Sequence, residues 1–105
     1  MFKAGSKMKL FKGFEAEYKK RHDELWPELK ALLKETGIHE YYIYLDSETL
    51  TLFAFLKADD PVKLDNISSH PIMKKWWHYM KDIMDTNEDE SPVNIPLKEV
   101  FNLSY

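Results

Sequence analysis

The residues of this chain best suited to chemistry are Tyr18 and His22, four positions apart in the stretch FEAEYKKRHDELWPELKALL, residues 14–33. Imidazole is the side chain whose ordinary pKa, about 6.5, lets it both give and take a proton near neutrality. At helical period, Phe14, Tyr18, His22, Leu25, Leu29 and Leu32 form one buried stripe, so the phenol and the imidazole turn towards the core together. Unpaired polar groups there cost about 1–3 kcal/mol each. The pair is therefore either satisfied internally or lines a pocket that takes a polar ligand. A second constellation is Trp76-Trp77, within the inward stripe Met73, Trp76, Trp77, Met80, Ile83 and Met84. Such a stripe is ordinary core. Two adjacent indoles can equally wall a pocket, because indole faces stack on the C–H faces of sugars and their N–H groups need partners when buried. His39 and His70 flank element ends, and His78 lies off the apolar stripe. His78 and Asp82 share an i,i+4 face, half of a metal site at most, and solvated ion pairing is the simpler reading there.

The elements that must position these groups follow in order. Residues 2–11 alternate apolar and lysine positions and read as a first strand. Gly13 breaks it and the long helix follows. Pro27, inside the helical pattern, predicts a kink near Asp23–Trp26, or two helices with Pro27 in the first turn of the second. Gly37 closes this helix. Glu40–Asp46 and Thr49–Lys57 read as a hairpin around Ser47-Glu48. Asp59-Asp60-Pro61 starts a short helix, and a longer one spans about Pro71–Met84 with Ser69 as its cap. The acidic segment Asp85–Pro92 reads as a solvated loop, and Leu97–Leu103 as the last strand. The order β-α-β-β-α-β specifies a ferredoxin-like α+β sandwich, one antiparallel sheet with helices on one face. The two middle strands are apolar on both faces, so the face with Phe53, Phe55, Tyr42 and Tyr44, or that with their alternates, would lie exposed on a monomer. Two such sheets packed face to face would bury it, which predicts a homodimer.

At 105 residues the chain is a single domain, residues 1–105, with 44% apolar and 31% charged composition. The absence of cysteine excludes a disulfide framework, a thiolate metal site and a cysteine nucleophile. A formal charge of −3 with scattered lysines argues against nucleic acid as a partner. The N-terminal residues lack the apolar core of a signal peptide. The longest apolar run, Leu52–Leu56, is too short to span a bilayer. The expectation is a cytoplasmic protein that is not embedded in a membrane.

Five segments, EYKKRHDELWPEL, GIHEYYIYLD, KKWWHYM, and SPV and LKEVF near the C-terminus, together resemble the L-rhamnose mutarotase family, and the similarity runs essentially from the first strand to the last. The resemblance implies a dimeric α+β barrel that interconverts the α and β anomers of L-rhamnose without metal or organic cofactor. Position by position, it implies that His22 is the proton donor and that Tyr18, Tyr41, Trp76 and Trp77 bind the sugar. The family carries Arg-Arg before the histidine where this chain has Lys20-Arg21, which reads as a surface-compatible change. Two rivals share the residues. One is a dimeric-barrel monooxygenase, of the haem-degrading or antibiotic-biosynthesis type, with His22 as an axial ligand in the haem case. The other is a sugar-binding module that holds rhamnose without turning it over.

Overall fold

The computed structural model describes residues 1–104. Strand β1 (Phe2–Lys9) lies inside a four-stranded sheet whose order is β2 (Ile38–Asp46), β3 (Thr51–Ala58), β1, β4 (Ile95–Leu97), with every pairing antiparallel. This is the ferredoxin-like α+β arrangement the element order requires. Because side chains alternate across a strand, the register sorts the sheet into two faces. Met8 opposes Leu52, and Ala54 opposes Ile43; these face the helices and join the core with Leu29, Met80 and Ile83. Gly5 opposes Phe55, which opposes Tyr42, while Lys7 opposes Phe53, which opposes Tyr44. That second face carries no helix. Gly5 lets the Phe55 ring pack closely there, since a Cβ would stand 3.3 Å from it.

Pro27 divides the long helical pattern into two. Helix α1 spans Glu15–Asp23 and α2 spans Pro27–Glu35, with Pro27 in the first turn, where its missing N–H is no loss. Trp26 before it is extended (φ −58°, ψ 134°), as the ring of a following proline demands. At the far end Gly37 adopts φ +90° and donates its N–H to Lys34 O at 3.0 Å, satisfying a terminal carbonyl.

Three expectations are corrected. The hairpin loop is Ser47–Leu50 rather than Ser47-Glu48, because the Asp46 carboxylate accepts from Glu48 N and Thr49 Oγ1 and draws both into the turn. After α3 (Pro61–Asn66) and a 3₁₀ turn (Ile67–Ser69), helix α4 spans Pro71–Met80. Its cap is His70, whose Nδ1 accepts from Ile72 N at 3.2 Å, while the Ser69 hydroxyl donates back to Asn66 O. Ile83 and Met84 stay buried although the helix has ended, with Met84 bridging to Leu10. Third, the last strand is Ile95–Leu97, not Leu97–Leu103. The ladder with β1 ends at the pair Gly5–Leu97 although β1 itself reaches back to Phe2, and residues 98–104 form no strand. Val100 and Phe101 are accordingly 88% and 76% exposed. No helix among the described residues is long and apolar enough to cross a membrane.

Candidate active site

Between the helices and the inner face of the sheet lies a cavity of about 1140 Å³, and Tyr18, His22, Tyr41, Trp76 and Trp77 all line it. Residues far apart in sequence thus meet at one place, from α1, β2 and α4. Helix α1 contributes Tyr18 and His22 from the same face, their rings 4.3 Å apart and tilted by 30°. Helix α4 delivers Trp76 edge-on to His22, with centroids 5.4 Å apart at 89°. Trp76 is 6% exposed and also meets Trp26 edge to face at 5.1 Å. Trp77, about 100° further round the helix, is only half-buried and forms the opener wall.

His22 Nδ1 lies 3.0 Å from the carbonyl oxygen of Tyr18. A carbonyl only accepts, so Nδ1 carries the proton and donates it, and in the neutral ring Nε2 is left with its lone pair. Burial pushes the imidazole pKa below its ordinary 6.5, outweighing the opposite pull of the Tyr18 carbonyl and of Asp23. At neutral pH the ring is therefore a neutral base with a fixed tautomer.

The phenols behave oppositely. Burial, and to a smaller degree the nearby Tyr41 phenol, pushes the Tyr18 pKa far above the ordinary tyrosine value. Tyr41 keeps 44% of its surface exposed, yet protein crowds its phenol and that desolvation raises its pKa as well. Both keep their protons at neutral pH, each able to donate one hydrogen bond and accept another. No buried side-chain nitrogen or oxygen among the described residues lacks a partner.

The floor is apolar, with Met8, Leu52, Leu56 and Met73 among its residues, while Glu15, Lys19 and Asp23 mark the rim on α1. Sequence spacing did not single out Ser91 and Asn94, which reach the cavity from the segment after α4. Asn87, Glu88 and Asp89 are exposed, as a solvated loop requires, and the neighbouring Glu90, at φ +72°, accepts at its carboxylate from His78 Nδ1 (2.8 Å) and Lys81 Nζ (2.7 Å). Asp82 pairs not with His78 but with Arg21, at 2.9 Å. Lys20, the position where the family has arginine, is exposed, whereas the neighbouring Arg21 side chain is only 10% exposed. Among the described residues no cluster of three His, Cys, Asp or Glu side chains is placed to hold a metal.

Sheet order, helix placement and an aromatic cavity between the two layers define a ferredoxin-like α+β protein of the kind also seen in an antibiotic biosynthesis monooxygenase. That protein is 11% identical, with a TM-score of 0.52 over 95% of this chain and 99% of its own, a likeness of fold alone. The narrower relationship is one of sequence. The sequence model of the L-rhamnose mutarotase family matches residues 3–103, and the chain belongs to that family. An L-rhamnose mutarotase of Formosa agariphila is 56% identical over 95 residues, covering 90% of this chain and 91% of the relative. The crystal structure of L-rhamnose mutarotase FA22100 from Formosa agariphila superposes with a TM-score of 0.93 at 51% identity, over 99% of this chain and 100% of that one.

Proposed function

We propose that this protein interconverts the α and β anomers of L-rhamnose, with His22 as the acid/base and Tyr18, Tyr41, Trp76 and Trp77 holding the sugar. One observation carries the reading: a neutral imidazole in the cavity whose Nδ1 is committed to the Tyr18 carbonyl, leaving Nε2 to exchange protons. Nε2 takes the proton of the anomeric hydroxyl as the bond between C1 and the ring oxygen breaks. The bond's electrons leave with the ring oxygen, which is protonated by a phenol or by water, and C1 becomes an aldehyde. Rotation about C1–C2 presents the other carbonyl face. The former ring oxygen attacks it and gives its proton back to the phenol or water that supplied it, while the imidazolium returns a proton to the anomeric oxygen. Run backwards, the neutral ring again first takes the proton of the anomeric hydroxyl and then returns it, so one group serves both directions. Positioned proton transfer contributes about 10²–10⁴-fold, enough for a reaction that already proceeds slowly in water.

The apolar floor suits the methyl group at C6 of rhamnose, and the indole walls suit the C–H face of a pyranose. Saturation-transfer proton NMR on the anomeric signals of L-rhamnose tests the reading. Transfer between the two peaks only when protein is present supports it. Line broadening without transfer would instead mark a module that binds the sugar and leaves it unchanged.

The active form is a homodimer in this reading. Tyr42, Tyr44, Phe55, Ile95 and Leu97 are 45%, 63%, 41%, 50% and 37% exposed on the sheet face without helices. An apolar surface of that kind is costly in water, and a second copy presenting the same face would cover it with a twofold axis. A cytoplasmic setting suits a chain with no cysteine.

A further inference from the structure

Helix α1 carries the proposed acid/base yet has little apolar grip on the rest of the molecule. Of its nine residues only Tyr18 is fully buried. Against so thin a stripe, the roll of the helix about its own axis needs another restraint. The residue next to His22 provides one. The Arg21 guanidinium engages all three of its nitrogens: Nε donates to Glu17 Oε2 at 2.7 Å, Nη1 to Tyr79 O at 2.7 Å and to Asp82 Oδ1 at 2.9 Å, and Nη2 to Asp82 Oδ2 at 3.3 Å. The Tyr79 carbonyl belongs to the last turn of α4, where backbone acceptors have no partner within the helix. The guanidinium also lies 4.2 Å from the centroid of the Tyr79 ring, which itself stands 5.8 Å from the Trp76 ring. One side chain therefore locks the helix of His22 to the helix of Trp76.

We propose that Arg21, held by Asp82 and by the end of α4, is a positioning residue that sets the roll of α1 and so the direction in which His22 meets the sugar. The inference rests on the acid/base reading of His22. With side chains a helix has a radius of about 5–6 Å, so a roll of roughly 10° moves the imidazole edge by about 1 Å. Misplacement on that scale can cost on the order of 10²-fold in rate. Lysine cannot substitute, because a point charge reaches the carbonyl or the carboxylate but does not fork to both.

Exchange rates measured across a range of rhamnose concentrations test this in the wild type, Arg21→Lys and Asp82→Asn. The expected result is a kcat lowered by about 10–100-fold in Arg21→Lys and less in Asp82→Asn, with KM within about threefold of wild type. The double variant should be no slower than Arg21→Lys, since both act through one clamp. Asp82 is 62% exposed, so its Asn variant is expected to fold even where Arg21→Lys does not. A kcat within about twofold of wild type in Asp82→Asn and in any folded Arg21→Lys, or a raised KM with kcat unchanged, would overturn the proposal. A wild type that exchanges no anomers would defeat the acid/base reading instead. The His22 Cε1 proton resonance still reads the clamp in that case, shifting in Asp82→Asn if Arg21 orients the ring and staying put if it does not.

Discussion

The carbonyl of Tyr18 fixes the tautomer of His22 from 3.0 Å away, one helical turn back along α1. This bond exists because the regular backbone bond from residue 22 to residue 18 is joined by a side-chain donor aimed at the same oxygen. Its consequence is chemical: Nε2, and not Nδ1, is the nitrogen available for proton exchange.

The pH dependence follows from the direction of the His22 shift. Burial holds the imidazole pKa below 6.5, so the neutral base persists to lower pH than a free histidine would. Anomerisation should be level through neutral pH and fall as pH drops through the depressed value. The same linkage makes the folded state lose stability as pH falls from about 6.5 towards that value, because the unfolded chain binds the proton first. A pH–rate profile with its acidic limb above 6.5 would contradict the account.

The two tryptophans should separate cleanly on truncation. Trp76 is 6% exposed and packs against His22 and Trp26, so Trp76→Ala is expected to lower stability by about 3–5 kcal/mol. Trp77 is half-buried at the cavity wall, and Trp77→Ala should raise KM while moving the unfolding midpoint far less. Thermal denaturation beside the NMR exchange assay distinguishes the two patterns.

Sheet-face truncation tests the assembly. Phe55→Glu places a charge at the centre of the apolar face, opposite Gly5 and Tyr42. Light scattering should report a dimer for the wild type and a monomer for the variant, with far-UV dichroism unchanged. A wild type that stays monomeric at micromolar concentration would remove the dimer from the account.

Gly37 holds φ +90°, and a Cβ there would stand 3.1 Å from Asp59 Oδ2. Gly37→Ala is expected to cost about 1–2 kcal/mol in backbone strain alone. Chemical denaturation should show a lower midpoint with an unchanged slope.

Much of this was legible in the sequence because local spacing encodes it. The stripe through Tyr18 and His22, the hairpin and the pair of indoles depend on helical and strand periods, and these four side chains line one cavity together with Tyr41, which only the family resemblance pointed to. Pro27 left open a kink or a break, and only the extended backbone at Trp26 decides for a break. Arg21 was not singled out by the sequence, since its partner Asp82 lies far along the chain and no local pattern links them. The last strand was placed too late because its pairing with β1 covers only Ile95–Leu97, which the composition of residues 97–103 does not reveal. The cap of α4 went to His70 and not Ser69 because an imidazole nitrogen can accept a backbone N–H as a hydroxyl would.

The central claim is that His22 moves the proton, and one comparison tests it most directly. Saturation transfer between the anomeric protons of L-rhamnose is measured at neutral pH with wild-type protein and with His22→Ala, both checked for fold by dichroism. The account predicts rapid exchange with the wild type and a loss of about 10²–10⁴-fold in the variant, with sugar binding retained. Exchange at the wild-type rate in a folded His22→Ala protein would contradict it.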